Sequence, residues 1–309
     1  MALATISGGE NVLITLNPVE VPFAKDALAA LSAGFTNGEV LGRNEAPVND
    51  ANTLNVYNFP GGPPPFFLPS NAQGVVLVGG QDPVVVGHGG LEVLIGDQNN
   101  NTFYGAGGHG TIIAGHGANR IYSDGGSFAI LTGKGQDTVN LFNGGSDTVF
   151  SLGHDTVKVA AANLTMSGKG TVFGLGNDTV SFVGGSPVLF DGTRSVAAES
   201  VQAGSGRTTM LAGHGTNFFA GGNGFSLMDA KGAASAVFSF DSSQAGGFHK
   251  ITHFSHGPDK LHITGNGSTA DILNNHTFVH GGSTVISLDH GATVIVLKGF
   301  TGLNSTDFS

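Results

Sequence analysis

The sequence predicts an all-β chain coiled as a parallel β-solenoid, and three observations lead there. Nine-residue steps back from Val139 meet Ile130, Ile121, Ile112, Phe103, Leu94, Val85 and Val76, all large and apolar. The position two residues further on reads Val78, Gly87, Gly96, Gly105, Ala114, Ser123, Thr132 and Leu141, most of them small. Glycine accounts for 52 of the 309 residues, without the every-third pattern of collagen. Glycine-rich nonamers are poor helix formers, so this alternation of a core position and a tight corner is not helical. It implies one short strand and one turn per nonamer, with two nonamers to a coil. Burying one such side chain contributes roughly 1.5–3 kcal/mol, and ordering the flexible glycines opposes it. Stability must therefore come from stacking many coils.

Three regions follow in chain order. Residues 1–73 read as an N-terminal cap or interaction arm, since the ends of a solenoid need covering. "NVLITL" is strand-like, and "PFAKDALAALSAGF" (Pro22–Phe35) predicts one helix of about three turns. "NFPGGPPPFFLPSN" (Asn58–Asn71) argues against regular structure, and its Phe66 and Phe67 suit docking onto a neighbour. Residues 74–235 form the solenoid, with an irregular coil expected around Arg194–Val201. From Ala236 to Ser309 longer alternating strands predict antiparallel hairpins and a C-terminal β cap.

The tripeptide Asp-Thr-Val stands at Asp137, Asp147, Asp155 and Asp178. "GKGQDTV" (Gly133–Val139) and "GLGNDTV" (Gly174–Val180) resemble the nonapeptide G-G-x-G-x-D-x-U-x of the RTX, or hemolysin-type, β-roll family. The phrase I-x-x-F-x-x-G-x-D-x-L at Ile251–Leu261 is similar to the C-terminal cap of that family. The resemblance implies a right-handed parallel β-roll with Ca²⁺ held between turns by carbonyls and Asp carboxylates, the hard oxygen donors that calcium selects. It also implies export without an N-terminal signal peptide, from an uncleaved C-terminal signal to which "TDFS" is similar.

The repeat is degenerate. Before Asp137 the Asp position reads Gly74, Pro83, Glu92, Asn101, Gly110, Asn119 and Phe128, so few metal sites are expected. The candidate ligands are Asp137, Asp155, Asp147 and Asp178. Asp137 and Asp155 stand 18 residues apart, one coil, and should share an edge that Asn119 and Asn101 continue backward as turn residues. Asp147 falls on the opposite edge, where Asn163 and Asp178 should follow it. The competing reading of these residues is a dry Asn/Asp ladder that caps the turns through hydrogen bonds. His249, His253, His256 and His262 raise a zinc site, but without a metalloprotease-like motif they read as solvated turn and strand histidines.

Composition narrows the function classes. A net charge of −10 with few lysines argues against nucleic acid as a partner, and no run approaches the ~18 apolar residues of a membrane span. Cysteine is absent, which removes disulfides and thiolate chemistry. No GxSxG, P-loop or strand–helix GxGxxG context supports catalysis. The expectation is a secreted, non-catalytic structural or cell-surface protein that associates with itself into a matrix, layer or filament, stabilised by calcium. The alternative is a solenoid that binds or modifies extracellular polysaccharide.

Overall fold

Leu94, Ile112 and Ile130 lie side by side on adjacent parallel strands, as do Phe103, Ile121 and Val139. The two columns belong to two sheet faces, which alternate along the chain and make one coil of 18 residues. A computed structural model describes residues 84–309 except 88, 97–98, 134 and 245. Before residue 84 it describes Pro65 and the strands Ala4–Ile6, Val12–Ile14, Val40–Arg43, Leu54–Tyr57, Phe66–Phe67 and Gly74–Leu77. The chain divides into two units, Met1–Lys158 and Val159–Ser309.

In the first unit the expected register holds from Val85 to Val139, and every one of those apolar residues described is fully buried. Corners are tight because coils approach one another there. Gly110 has φ +142°, and a Cβ on it would strike the Glu92 carbonyl; a Cβ on Gly135 would strike that of Gly117. Upstream the register shifts by one: Val76 pairs with Ile95, and it is Val75 that meets Leu94. Parallel pairing also begins before residue 74. Val40–Arg43 pairs with Leu54–Tyr57, which pairs in turn with Gly74–Leu77. Apolar-rich segments such as Leu54–Tyr57 satisfy the strand ladder without nonapeptide glycines. The Pro-rich stretch contains the strand Phe66–Phe67, paired with Val85–Val86, because the prolines stop just short of it. The helix expected at Pro22–Phe35 lies outside the described residues.

In the second unit coil length varies. Partners one coil apart are separated by 16 residues at Ala162 and Asp178, 18 at His214 and Gly232, 19 at Thr216 and Ser235, and 23 at Ala236 and Asp259. Strand registers nevertheless keep the core columns: Val180, Val201, Phe219, Phe238 and Leu261 on one face, and Phe190, Met210, Met228 and Ile251 on the other. Phe190 and Phe219 meet edge-to-face at 6.5 Å across the interior. Extra residues bulge at the corners, where they leave the columns intact.

Parallel stacking continues through Lys260–Thr264, beyond the expected change at Ala236. In the second unit antiparallel pairing starts with Thr277–His280, Ser283–Leu288 and Thr293–Lys298. Gly281 and Gly282 both have positive φ and form the two-residue turn that joins Thr277–His280 to Ser283–Leu288. The strand Thr293–Lys298 also pairs in parallel with Gly247–Thr252, which joins this meander to the coils. The helix Thr269–Asn275, capped by the Ser268 side chain, precedes the meander.

Candidate functional site

The recurring Asp-Thr-Val acquires its meaning from the pleat. In all four copies Val is buried in the core column and Thr faces outward to some degree. Asp137 stands just before its strand, Asp178 opens one, and Asp147 and Asp155 lie within the long strand Ser146–Ala160; all four aspartates are buried, 1–2% exposed.

On one edge of the first unit the corner residues form a ladder. Asn119 Oδ1 accepts the Asn101 N–H at 2.8 Å and its side-chain Nδ2 at 3.0 Å. Asp137 Oδ1 accepts the same two groups of Asn119 at 2.7 and 2.8 Å. Asp155 Oδ1 accepts the Asp137 N–H at 3.0 Å, and its Oδ2 accepts the Thr132 hydroxyl at 2.5 Å. Each rung thus satisfies the backbone donor one coil earlier, at the corner where strand hydrogen bonding lapses. On the opposite edge, Asp147 Oδ1 accepts the Phe128 N–H at 2.9 Å and the Ser123 hydroxyl at 3.0 Å.

The second unit repeats the device in altered form. Asp178 Oδ1 accepts the Ala162 N–H at 3.3 Å, and its Oδ2 accepts those of Leu175 and Gly176 at 3.0 and 3.1 Å. Asp178 is thus level with position 162, and Asn163 pairs with Thr179 instead of continuing an acid column. The column through Asp178 runs on through Glu199, Asn217, Ala236 and Asp259. Asp259, from the C-terminal phrase, accepts the N–H groups of Ala236 and Ser255 at 2.9 and 2.8 Å. Glu199 and Asp259 carry no nonapeptide signature, and their spacing from Asp178 is irregular. Asn217 in "GHGTNFF" stands where Asn119 stands in "GHGANRI".

Burial sets the electrostatics. It pushes Asp137 up to about 7, reinforced by the Asp155 charge and opposed by the Asn119 hydrogen bonds. Burial also raises Asp147 to about 6 and Glu199 to about 8, the latter with help from the Asp178 charge. Asp259 moves up for the same first reason.

This chemistry suits corner capping better than cation binding. Calcium takes six to eight oxygens, and three of these four aspartates each spend an oxygen on two donors or both oxygens on several. Asp137 Oδ2 and Asp147 Oδ2 have no hydrogen-bond partner, but they are buried on opposite edges. Among the described residues no three His, Asp or Glu side chains converge as a metal site. The four aspartates as placed do not fit a calcium shell.

The histidines disperse. His249 is buried, not solvated: its Nδ1 lies 2.6 Å from Ser226 Oγ, and burial pushes it down to about 4. Both members of this Ser–His contact are sealed in the core. His253 Nδ1 meets Asp229 Oδ1 at 2.6 Å, His256 Nδ1 meets Asp307 Oδ1 at 2.8 Å, and His262 Nδ1 lies 3.0 Å from the Ser309 oxygen. Each has its own partner. Compared with known proteins, the chain matches no family model and no curated protein. No helix among the described residues is long and apolar enough to cross a membrane.

Proposed function

We propose that this is a non-catalytic structural protein of the cell exterior, an RTX-like solenoid that associates with copies of itself into a layer or filament. The observation that carries the reading is the set of aromatic residues stacked in register on the outer faces of parallel sheets. In the first unit Tyr104 and Tyr122 stack at 4.5 Å with planes 7° apart. In the second, Phe225 and Phe248 stack at 5.8 Å with planes 9° apart, and the Arg207 guanidinium lies 5.1 Å from the Phe225 ring centroid. Tyr104, Phe248 and Phe67 are exposed. Flat parallel ladders with apolar outer columns are natural lateral contacts for another sheet, and only 11% of residues are charged to oppose that contact.

Light scattering and electron microscopy of the full chain test this. Ordered assemblies are expected from the native sequence. Dispersed monomers with an unchanged far-UV spectrum are expected from a variant combining Phe67→Ser, Tyr104→Ser and Phe248→Ser. A native protein that stays monomeric at high concentration, with and without calcium, overturns the reading.

A further inference from the structure

A cavity of about 780 Å³ lies in the second unit, between the helix Thr269–Asn275, the strand Thr277–His280 and the turn Asp289–Gly291. Its size falls within the range of about 300–1,000 Å³ typical of small-molecule sites. Its walls carry the carboxylates of Asp271 and Asp289 and the carboxamides of Asn266 and Asn275. His276 and His290 add two imidazoles, and the ring of Phe278, 53% exposed, completes the lining with an apolar surface.

Several of these groups are held in place. Asp271 Oδ1 accepts Asn275 Nδ2 at 2.7 Å, and its Oδ2 stands 3.7 Å from His276 Nε2. His276 Nδ1 lies 3.1 Å from the Ser287 carbonyl oxygen, so that nitrogen is the donor and Nε2 faces Asp271. Asp289 Oδ2 accepts the Thr293 hydroxyl at 2.7 Å. Asp289 and His290 both have left-handed backbone, at φ 52° and 56°, a conformation unfavourable for a non-glycine residue. The fold bears that cost at the very turn that supplies two lining side chains.

The donor set selects a ligand class. Carboxylates only accept, carboxamides donate and accept, and an imidazole nitrogen can do either, so the complementary ligand is rich in hydroxyl groups. No lysine or arginine lines the cavity, and an anionic ligand would face two carboxylates. A purely hydrocarbon ligand would strip water from those carboxylates without return. The exposed Phe278 ring suits the C–H face of a pyranose. We propose that this cavity binds one or two rings of a neutral sugar. The inference is independent of self-assembly, and either can fail without the other.

Saturation-transfer NMR and titration calorimetry on the full chain provide the test. The probes are the methyl glycosides of glucose, galactose, mannose and N-acetylglucosamine, with glucuronate as the anionic arm. At least one neutral glycoside is expected to bind, and more tightly than glucuronate. Phe278→Ala and Asp289→Asn should each weaken it by about tenfold or more, whereas Phe278→Tyr should retain it. Asn tolerates left-handed backbone, so Asp289→Asn should melt like the native protein. No transfer from any neutral glycoside at ~10 mM, tighter binding of glucuronate, or binding untouched by both weakening variants overturns the proposal.

Discussion

The Asp155 carboxylate accepts the main-chain N–H of Asp137 at 3.0 Å, one full coil earlier in the chain. It also accepts the Thr132 hydroxyl. Asp155→Ala therefore strands the buried Asp137 N–H and leaves the Thr132 hydroxyl only the Phe150 carbonyl, at 3.4 Å. Urea denaturation should show a loss of roughly 1–3 kcal/mol, with Asp155→Asn losing less because one acceptor remains. A loss no larger than that of an exposed alanine substitution would mean that the ladder does not hold the coils.

Asp137→Asn should act in the opposite direction. Asn101 and Asn119 each use Nδ2 to donate to the next rung, whereas the atom in that place on Asp137 is Oδ2, buried without a hydrogen-bond partner. An amide there restores the pattern and removes a charge that faces Asp155. Stability at pH 8 should rise relative to the native chain, and a clear loss in thermal melts would contradict the assignment.

The pH dependence follows from the direction of each shift. Asp137, Asp147 and Glu199 bind protons more tightly folded than unfolded, at about 7, 6 and 8. Their contribution is fully present below the unfolded carboxylate values near 4 and is lost as pH rises through those folded values. His249 runs the other way: its folded value of about 4 lies below the unfolded 6.5, so its contribution is present above 6.5 and lost as pH falls toward 4. Stability should therefore decline between about pH 6.5 and 8, where His249 no longer contributes a slope and Asp137 and Glu199 still do, and a double variant Asp137→Asn, Glu199→Gln should flatten that limb. Urea midpoints that rise over this range would refute the attribution.

Much of this is legible in the sequence, for one physical reason. Where coils keep 18 residues, a core residue, a corner and a capping acid all recur in step, so Asp137, Asp155, Asn119 and Asn101 could be placed on one edge from spacing alone. Glu199 and Asp259 escaped because corner insertions stretch their coils and leave the columns aligned in space but not in sequence. The direction of the carboxylates escaped too. A period cannot tell whether an acid at a corner turns outward to a cation or inward to an N–H. His249 looked like one of a polar cluster, yet strand alternation buries it beside Ser226.

Calcium separates the family resemblance from the geometry. Ligand that binds only the native state raises stability by about 2.7 kcal/mol at a hundred times its dissociation constant. With at least one oxygen of each of the four aspartates committed to protein donors, melting in millimolar calcium and in chelator should agree within about 2 °C. A rise well beyond that, abolished by Asp137→Ala, would show that the turns reorganise around the ion as the resemblance implies.

The segment Asn304–Ser309 closes the outer side of the strand Lys260–Thr264. Phe308 bridges Leu261 in parallel, Ser309 N–H donates to the Leu261 carbonyl at 3.1 Å, and Lys260 Nζ donates to the Thr306 carbonyl at 2.6 Å. Asp307 is fully buried; its Oδ1 meets His256 and its Oδ2 accepts the Asn304 N–H at 2.9 Å. An uncovered strand edge invites pairing with another chain, so these contacts act as a cover as well as a clasp. Asp307→Ala should cost roughly 2–3 kcal/mol in urea denaturation. If the same segment serves as the export signal, it must be read before it docks, since docking hides its acidic residue. Asp307→Ala should then reach the medium at least as well as the native chain despite its lower stability, while deletion of Lys298–Ser309 should be retained in the cell. Equal export of the deletion would remove the signal from this segment, and a retained Asp307→Ala would mean that the docked form is the one recognised.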